Sequence, residues 1–314
     1  MINRELIRLK LVQVLYSHLQ KGSHNPDASE KELLLSLDKA YDLYNYMLLL
    51  MVEVGRMSVR MFEVYQNRSK KLNDGIQWSR KFVDNRFILQ LESNKQLRAY
   101  CDEQALSWAD HEDFVRNLYY KVEESDFYKE YMASETSTYE EDREVWRLIY
   151  RRLIVDNEEL ADLLEDINVY WNDDKTIVDT FVLKTINRFT SESNSAFPLM
   201  PEYKSDTDRD FATKLLRRAI TGHEYFSSLI GSNTRGWDPN RIALMDRIIL
   251  QLGLAEITTF PNIPISVSIN EYVEIAKMYS TPKSGKYVNA TLDTIAKQLM
   301  EEGKLVKNEQ NSNK

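Results

Sequence analysis

A single cysteine, Cys101, stands in 314 residues, which excludes an internal disulfide framework and any cysteine-based zinc cage and suits a reducing compartment. Breakers are equally scarce, with nine glycines and seven prolines, so long helices are favoured over a strand-rich fold and the expected class is all-α. Long apolar runs are missing too. The longest, Tyr46 to Val54, is interrupted by Glu53 and falls well short of the roughly 20 residues a membrane span needs. The first residues, Met1-Ile2-Asn3-Arg4-Glu5, mix charge with apolar side chains and predict an amphipathic helix in place of a signal peptide. The expectation is a soluble, cytoplasmic chain with no membrane partner.

Catalytic signatures are also missing. Four histidines, His18, His24, His111 and His223, do not cluster at ligand spacing, and the sequence holds no HExxH, CxxC, GxSxG or glycine-rich phosphate loop. Such patterns are what metal, nucleophile and nucleotide chemistry require. Carboxylate neighbours such as Glu123 with Asp126, or Asp173 with Asp174, read as solvated helix faces. The chain is expected to be non-enzymatic and to use no cofactor and no metal.

A net charge of −8 argues against a nucleic-acid partner, because lysine and arginine contacts to phosphate supply much of such binding. The average conceals an asymmetry: residues 101–210 hold 28 acidic against 12 basic residues, which leaves the remainder of the chain positive.

Helical periodicity sets the organisation. A first helix is predicted over Ile2–Gln20, with Ile2, Leu6, Leu9, Gln13 and Tyr16 on one side and Arg4 and Arg8 on the opposite stripe. It ends at Gly22-Ser23-His24-Asn25-Pro26. A long helical stretch follows from Ser29 to about Arg68, then further ones over Phe82–Asp102, Asp113–Met132, a segment capped by Ser137-x-x-Glu140, Asn157–Trp171 and Lys175–Phe189. The Ser, Asn, Pro and Asp-rich stretch 190–208 marks the main boundary. Beyond it, helices are predicted from Asp210 to about Ser232 and from Asp238-Pro239 to about Glu256. Two more follow, one from a Ser268-x-x-Glu271 capping box to Met278 and one from Ser284 to before Gly303. The tail 304–314 is polar.

The last third carries the informative residues. Trp237-Asp238-Pro239-Asn240-Arg241 opens a helix containing Asp246-Arg247-Ile248-Ile249-Leu250. Ile269-Asn270-Glu271-Tyr272-Val273-Glu274-Ile275-Ala276-Lys277 comes next, then Ser284-Gly285-Lys286-Tyr287-Val288-Asn289-Ala290-Thr291-Leu292-Asp293. In this order and spacing the set resembles the NusB family, which shows Trp-x-x-x-Arg, Asp-Arg-x-x-Leu, Ile-Asn-Glu-x-x-Glu-x-Ala-Lys and Ser-x-Lys-Phe-Val-Asn-Gly-x-Leu-Asp segments. Val12-Gln13-Val14-Leu15-Tyr16 is similar to that family's Gln-x-Leu-Tyr first helix. The resemblance covers residues 1 to about 20 and about 208 to 300.

That resemblance implies a non-catalytic helical module that binds boxA-type rRNA leader RNA jointly with the ribosomal small-subunit protein NusE, within the elongating RNA polymerase complex. Carried onto matching positions, it implies RNA contacts at Arg4, Arg8, Lys10, Ser284, Lys286, Tyr287 and Asn289, and a protein-partner surface at Tyr16 and Asp246. Physical chemistry gives these a rationale. Ser284 can cap a helix whose free N–H groups and positive dipole end attract phosphate, Lys286 adds charge, Tyr287 offers a ring for a base, and Asn289 a polar edge. Blander roles stand beside them: Tyr287 as core, Arg4 and Arg8 as solvated charges, Tyr16 as core, Asp246 as half of a surface ion pair.

Departures from the family pattern bear on affinity. Its arginine-rich first helix is reduced here to Arg4, Arg8 and Lys10, with Glu5 offsetting one of them. Leu250-Gln251-Leu252-Gly253 stands where the family has Leu-Arg-Leu-Ala, which removes a phosphate contact at Gln251, and Ala290 replaces a glycine. Residues 22–207 align with nothing in the family and read as an inserted acidic helical region, with the NusB-like core assembled from residues 1–21 and 208–303. Two other readings remain: a helical scaffold without RNA binding, and a remnant of the NusB-like domains that precede rRNA cytosine methyltransferases.

Overall fold

The computed structural model describes residues 1–22, 25–135, 138–171, 173–233, 243–281 and 283–307. The regular elements among the described residues are helices, and the one β feature among them is an isolated parallel bridge between Ile2 and Tyr203. The chain divides into two compact units. One comprises Met1 and 38–202, the other 2–37 and 203–314, so the second is assembled from both chain ends.

The second unit holds α1 (Arg4–Gln20), the first turns of α2 (Pro26–Leu72), α10 (Asp206–Thr221), α11 (His223–Asn233), α12 (Leu244–Thr259), α13 (Ile265–Tyr279) and α14 (Ser284–Glu301). Its centre is α12, which packs on α1, α10, α11, α13 and α14. Ile248, Ile249, Leu250, Leu252, Leu254, Ala255 and Ile257 are all buried, and a helix apolar on every side is stable only when enclosed. Gly253 permits one close approach, since a Cβ there would lie 2.9 Å from Leu292. The one-sided apolar face expected of α1, with Arg4 and Arg8 on the opposite stripe, is too narrow a description. All six residues from Leu6 to Leu11 are buried, so α1 has no basic outer face at Arg8 and Lys10.

Several predicted boundaries shift for local reasons. The stretch read as one helix from Asp210 to Ser232 is two, divided at Gly222, where a Cβ would meet the Arg218 carbonyl at 2.9 Å. The helix read as starting at Ser268 begins at Ile265, directly after Pro264, which stands at the N-cap. Ser268 is then inside the helix and caps nothing. The Asp238-Pro239 start and Trp237 lie outside the described residues.

The first unit contains the rest of α2 with α3 (Arg86–Ser93), α4 (Lys95–Glu103), α5 (Glu112–Glu124), α6 (Asp126–Ala133), α7 (Tyr139–Ile149), α8 (Glu158–Ile167) and α9 (Lys175–Arg188). Two stretches read as single helices are interrupted at Asn94 and Ser125; Asn94 accepts from the Leu97 N–H and so starts α4. A capping box opens α7, formed by Thr138 and Glu141, one residue beyond the predicted pair, of which Ser137 lies outside the described residues. Aromatic residues knit this unit: Tyr46 stacks on Trp108 with centroids 4.2 Å apart, and Trp108 and Trp171 donate their indole N–H groups to the carbonyls of Tyr46 and Lys39 on α2. No helix among the described residues is long and apolar enough to cross a membrane.

Candidate nucleic-acid interface

The start of α14 gathers four of the residues singled out in the sequence. Lys283 precedes the helix without a capping side chain, and the N–H groups of Ser284 and Tyr287 reach back to the carbonyls of Thr281 and Lys283. An α-helix leaves the N–H groups of its first turn without intrahelical acceptors, and this one, 18 residues long, presents the positive end of its dipole here. Lys283, Lys286 and Asn289 are exposed and Tyr287 is half-buried. The Tyr287 hydroxyl is turned inward, and burial raises its pKa. Asn289 borders a groove of about 640 Å³ between α13 and α14, floored by Ile265, Ile269 and Ala296.

Ser284 is placed differently from expectation. It is the first helical residue, is buried, and its hydroxyl donates to Asp246 Oδ2 at 3.0 Å while accepting from the Thr281 N–H. It braces the helix start from behind and offers nothing to an incoming phosphate. Asp246 is 8% exposed, so it is neither a surface ion pair nor available on a protein-facing surface. Its carboxylate lies behind the start of α14, where negative charge complements the helix end and partly offsets the attraction for an outside anion.

The residues of α1 are split. Arg4 is exposed, near Asp208 at 3.6 Å and over the Phe211 ring at 5.0 Å, so it is drawn toward α10. Tyr16 is 39% exposed. Lys10 is fully buried, and Arg8, 3% exposed, is the centre of an internal network. Arg8 Nε and Nη2 each donate to Glu256 at 2.8 Å, and Nη1 donates to Glu271 at 2.9 Å. Glu256 also accepts from the hydroxyls of Ser268 at 2.8 Å and Tyr272 at 3.0 Å. These four donors fill the acceptor capacity of one carboxylate. Burial opposes the Arg8 charge, but the Glu256 contacts prevail and its pKa is raised; Tyr272 is held well above its usual value by burial and by the same carboxylate. Arg8 and Lys10 are therefore corrected from RNA contacts to interior residues.

Gln251 is interior as well. It donates to the Ala219 carbonyl and pairs with His223 Nδ1 at 2.9 Å, so no phosphate-facing position is lost there. Sequence reasoning passed over Lys283, although Lys283-Ser284-Gly285-Lys286 places two cations three residues apart at a helix start. It also passed over Glu256, legible as a lone carboxylate closing an apolar run. Among the described residues no group of three or more His, Cys, Asp or Glu side chains could hold a metal ion.

The model of the NusB family matches residues 177–297. That span includes Asp246 and the start of α14, and it begins in α9, before the boundary drawn from sequence; α1 lies outside it. Three curated proteins, each named transcription antitermination protein NusB, are similar to this chain. The Salinibacter ruber protein is 37% identical over 108 residues, 34% of this chain and 68% of its own length. The Chloroherpeton thalassium protein is 35% identical over 32% of this chain and 47% of its own length, and the Methylacidiphilum infernorum protein 42% identical over 29% and 63%. The chain thus spans about half to two thirds of these relatives.

Proposed function

This chain belongs to the NusB family, and we propose that it is a non-catalytic transcription antitermination factor that binds boxA-type rRNA leader RNA jointly with the ribosomal small-subunit protein NusE, within the elongating RNA polymerase complex. The observation that carries this reading is the start of α14, inside the family-matched span, where exposed Lys283, Lys286 and Asn289 and half-buried Tyr287 stand at the positive end of an 18-residue helix. Such an end attracts phosphate, and a half-buried tyrosine provides stacking without sequence demand. With Arg8 and Lys10 interior, few cations face solvent here, and affinity for RNA alone is low; the protein partner supplies the remainder. Tyr16, exposed on α1, is the residue retained for that partner's surface.

Replacing Lys286 by alanine tests the site. The variant is expected to bind boxA-like RNA and unrelated single strands more weakly by the same factor, with the salt-dependence slope reduced by about 0.7, the value for one phosphate contact on a single strand. An unchanged slope in a fluorescence-anisotropy titration across salt concentrations removes Lys286 from the interface.

A further inference from the structure

The inserted unit, acidic on the whole, has one end of opposite character. Residues 60–81 hold six basic side chains, Arg60, Arg68, Lys70, Lys71, Arg80 and Lys81, against Glu63 and Asp74. They span the last turns of α2 and the loop after it. That loop is built to return. The Ser69 hydroxyl bonds Asp74 and the Ile76 carbonyl, the Ile76 N–H donates to Asp74 Oδ1 at 3.0 Å, and the Asp74 N–H donates to the Ser69 carbonyl. Asn73, with φ of 51°, and Gly75, with φ of 70°, turn the backbone through the left-handed region. The loop thereby lays Trp78 back on Tyr65, rings stacked with centroids 4.9 Å apart.

Every residue from Lys70 to Arg80 is exposed, so this fold-back buries no core. Trp78 itself stays 42% exposed with Tyr65 covering one face. On α2, Arg68 lies three residues beyond Tyr65, on the same face by helical spacing, and Lys70 and Lys71 follow in the next turn. Lysines at a helix C-terminus complement its dipole, but that role does not require a tryptophan held open beside them.

From this juxtaposition we infer that the end of α2 and its return loop form a contact for single-stranded RNA: a base continues the Tyr65–Trp78 stack while Arg68, Lys70 and Lys71 meet the phosphates. A stacked aromatic platform flanked by cations is the arrangement that sequence-tolerant single-strand binders use. A membrane surface fits less well, because Asn73, Asp74 and Gln77 interrupt the apolar residues that an interfacial segment would immerse. The contact goes beyond the family reading, needs none of the α14 residues, and lies in the unit that reading leaves without a role.

The full chain is titrated with a fluorescein-labelled 12-mer of uridine. Trp78→Ala is expected to bind about tenfold more weakly with an unchanged melting curve, while Trp78→Phe, which keeps a stacking ring, retains affinity and loses the tryptophan quenching seen in the unmodified protein. The Arg68→Ala, Lys70→Ala, Lys71→Ala triple variant is expected to lower the salt slope by about 2, three contacts at about 0.7 each. Unchanged oligouridine binding in Trp78→Ala and in the triple variant overturns the inference, whatever Lys286→Ala does. Loss confined to Lys286→Ala leaves the α14 site standing and this one refuted. Trp78-dependent binding to vesicles with 30% anionic lipid, in place of RNA, also refutes it.

Discussion

Arg8→Ala is expected to cost about 3 to 5 kcal/mol of stability, the range for removing one partner of a buried ion pair, and to leave RNA affinity per folded molecule unchanged. The loss follows from what remains. Glu256, fully buried, keeps the Ser268 and Tyr272 hydroxyls but loses both guanidinium bonds, and a buried carboxylate without a cation is among the most unfavourable residues an interior can hold. In a thermal melt the deficit is a fall of roughly 6 to 20 °C. Arg8→Lys restores only part of it, because an ammonium cannot match the two-pronged contact to Glu256. A melting curve unchanged by Arg8→Ala, with RNA binding lost, would return Arg8 to the interface.

The inserted unit has its own counterpart in Lys175→Ala, expected to cost a similar about 3 to 5 kcal/mol. The helix α7 ends in a π-type turn over Tyr150–Ile154, which leaves carbonyls without a following turn to satisfy them. Lys175 donates to two of them, Ile154 and Val155, and to Asp179 Oδ2 at 2.8 Å. All three ammonium donors are thereby used, while Tyr150 donates to the other Asp179 oxygen at 2.6 Å.

Burial already raises the Asp179 pKa above its ordinary 3.8 despite the lysine, and removing the lysine raises it further. In that variant the folded state keeps a proton that the unfolded chain releases above about 3.8, so the deficit is smallest at or below that pH and grows as pH rises through the folded value. Denaturant melts across that range check this; a deficit that shrinks toward neutral pH contradicts the assignment.

Local patterns were legible in the sequence where the cause is local. The all-α class followed from scarce breakers, and the beginnings of α9 and α14 fell at Lys175 and Ser284 as the spacing indicated. Lys286 and Asn289, picked out through the family resemblance, are exposed on α14. The partners of Arg8 were not legible, because Glu256 and Glu271 stand 248 and 263 residues away in the chain, and nothing in the periodicity of α1 reports that distant helices enclose it. Ser284 was misread for a related reason: a serine at a helix start resembles a cap, and only the position of Asp246 shows its hydroxyl already engaged. Trp78 and Tyr65 are thirteen residues apart and join through a turn whose signal, Asn73-Asp74-Gly75, is readable in hindsight as a reversal.

The interior placement of Arg8 and Lys10 has a functional consequence. On the proposed reading, a surface with Lys283 and Lys286 as its forward cations would release few counterions, so its hold on RNA alone would be weak and only shallowly dependent on salt, and a composite site with a protein partner is the arrangement that would restore affinity. The direct measurement is the anisotropy of a labelled boxA-like RNA titrated with this protein at physiological salt, in the presence and absence of its cognate NusE. Tight binding with NusE and weak binding without it is the predicted result; no binding in either condition, by protein shown to be folded, would contradict the account.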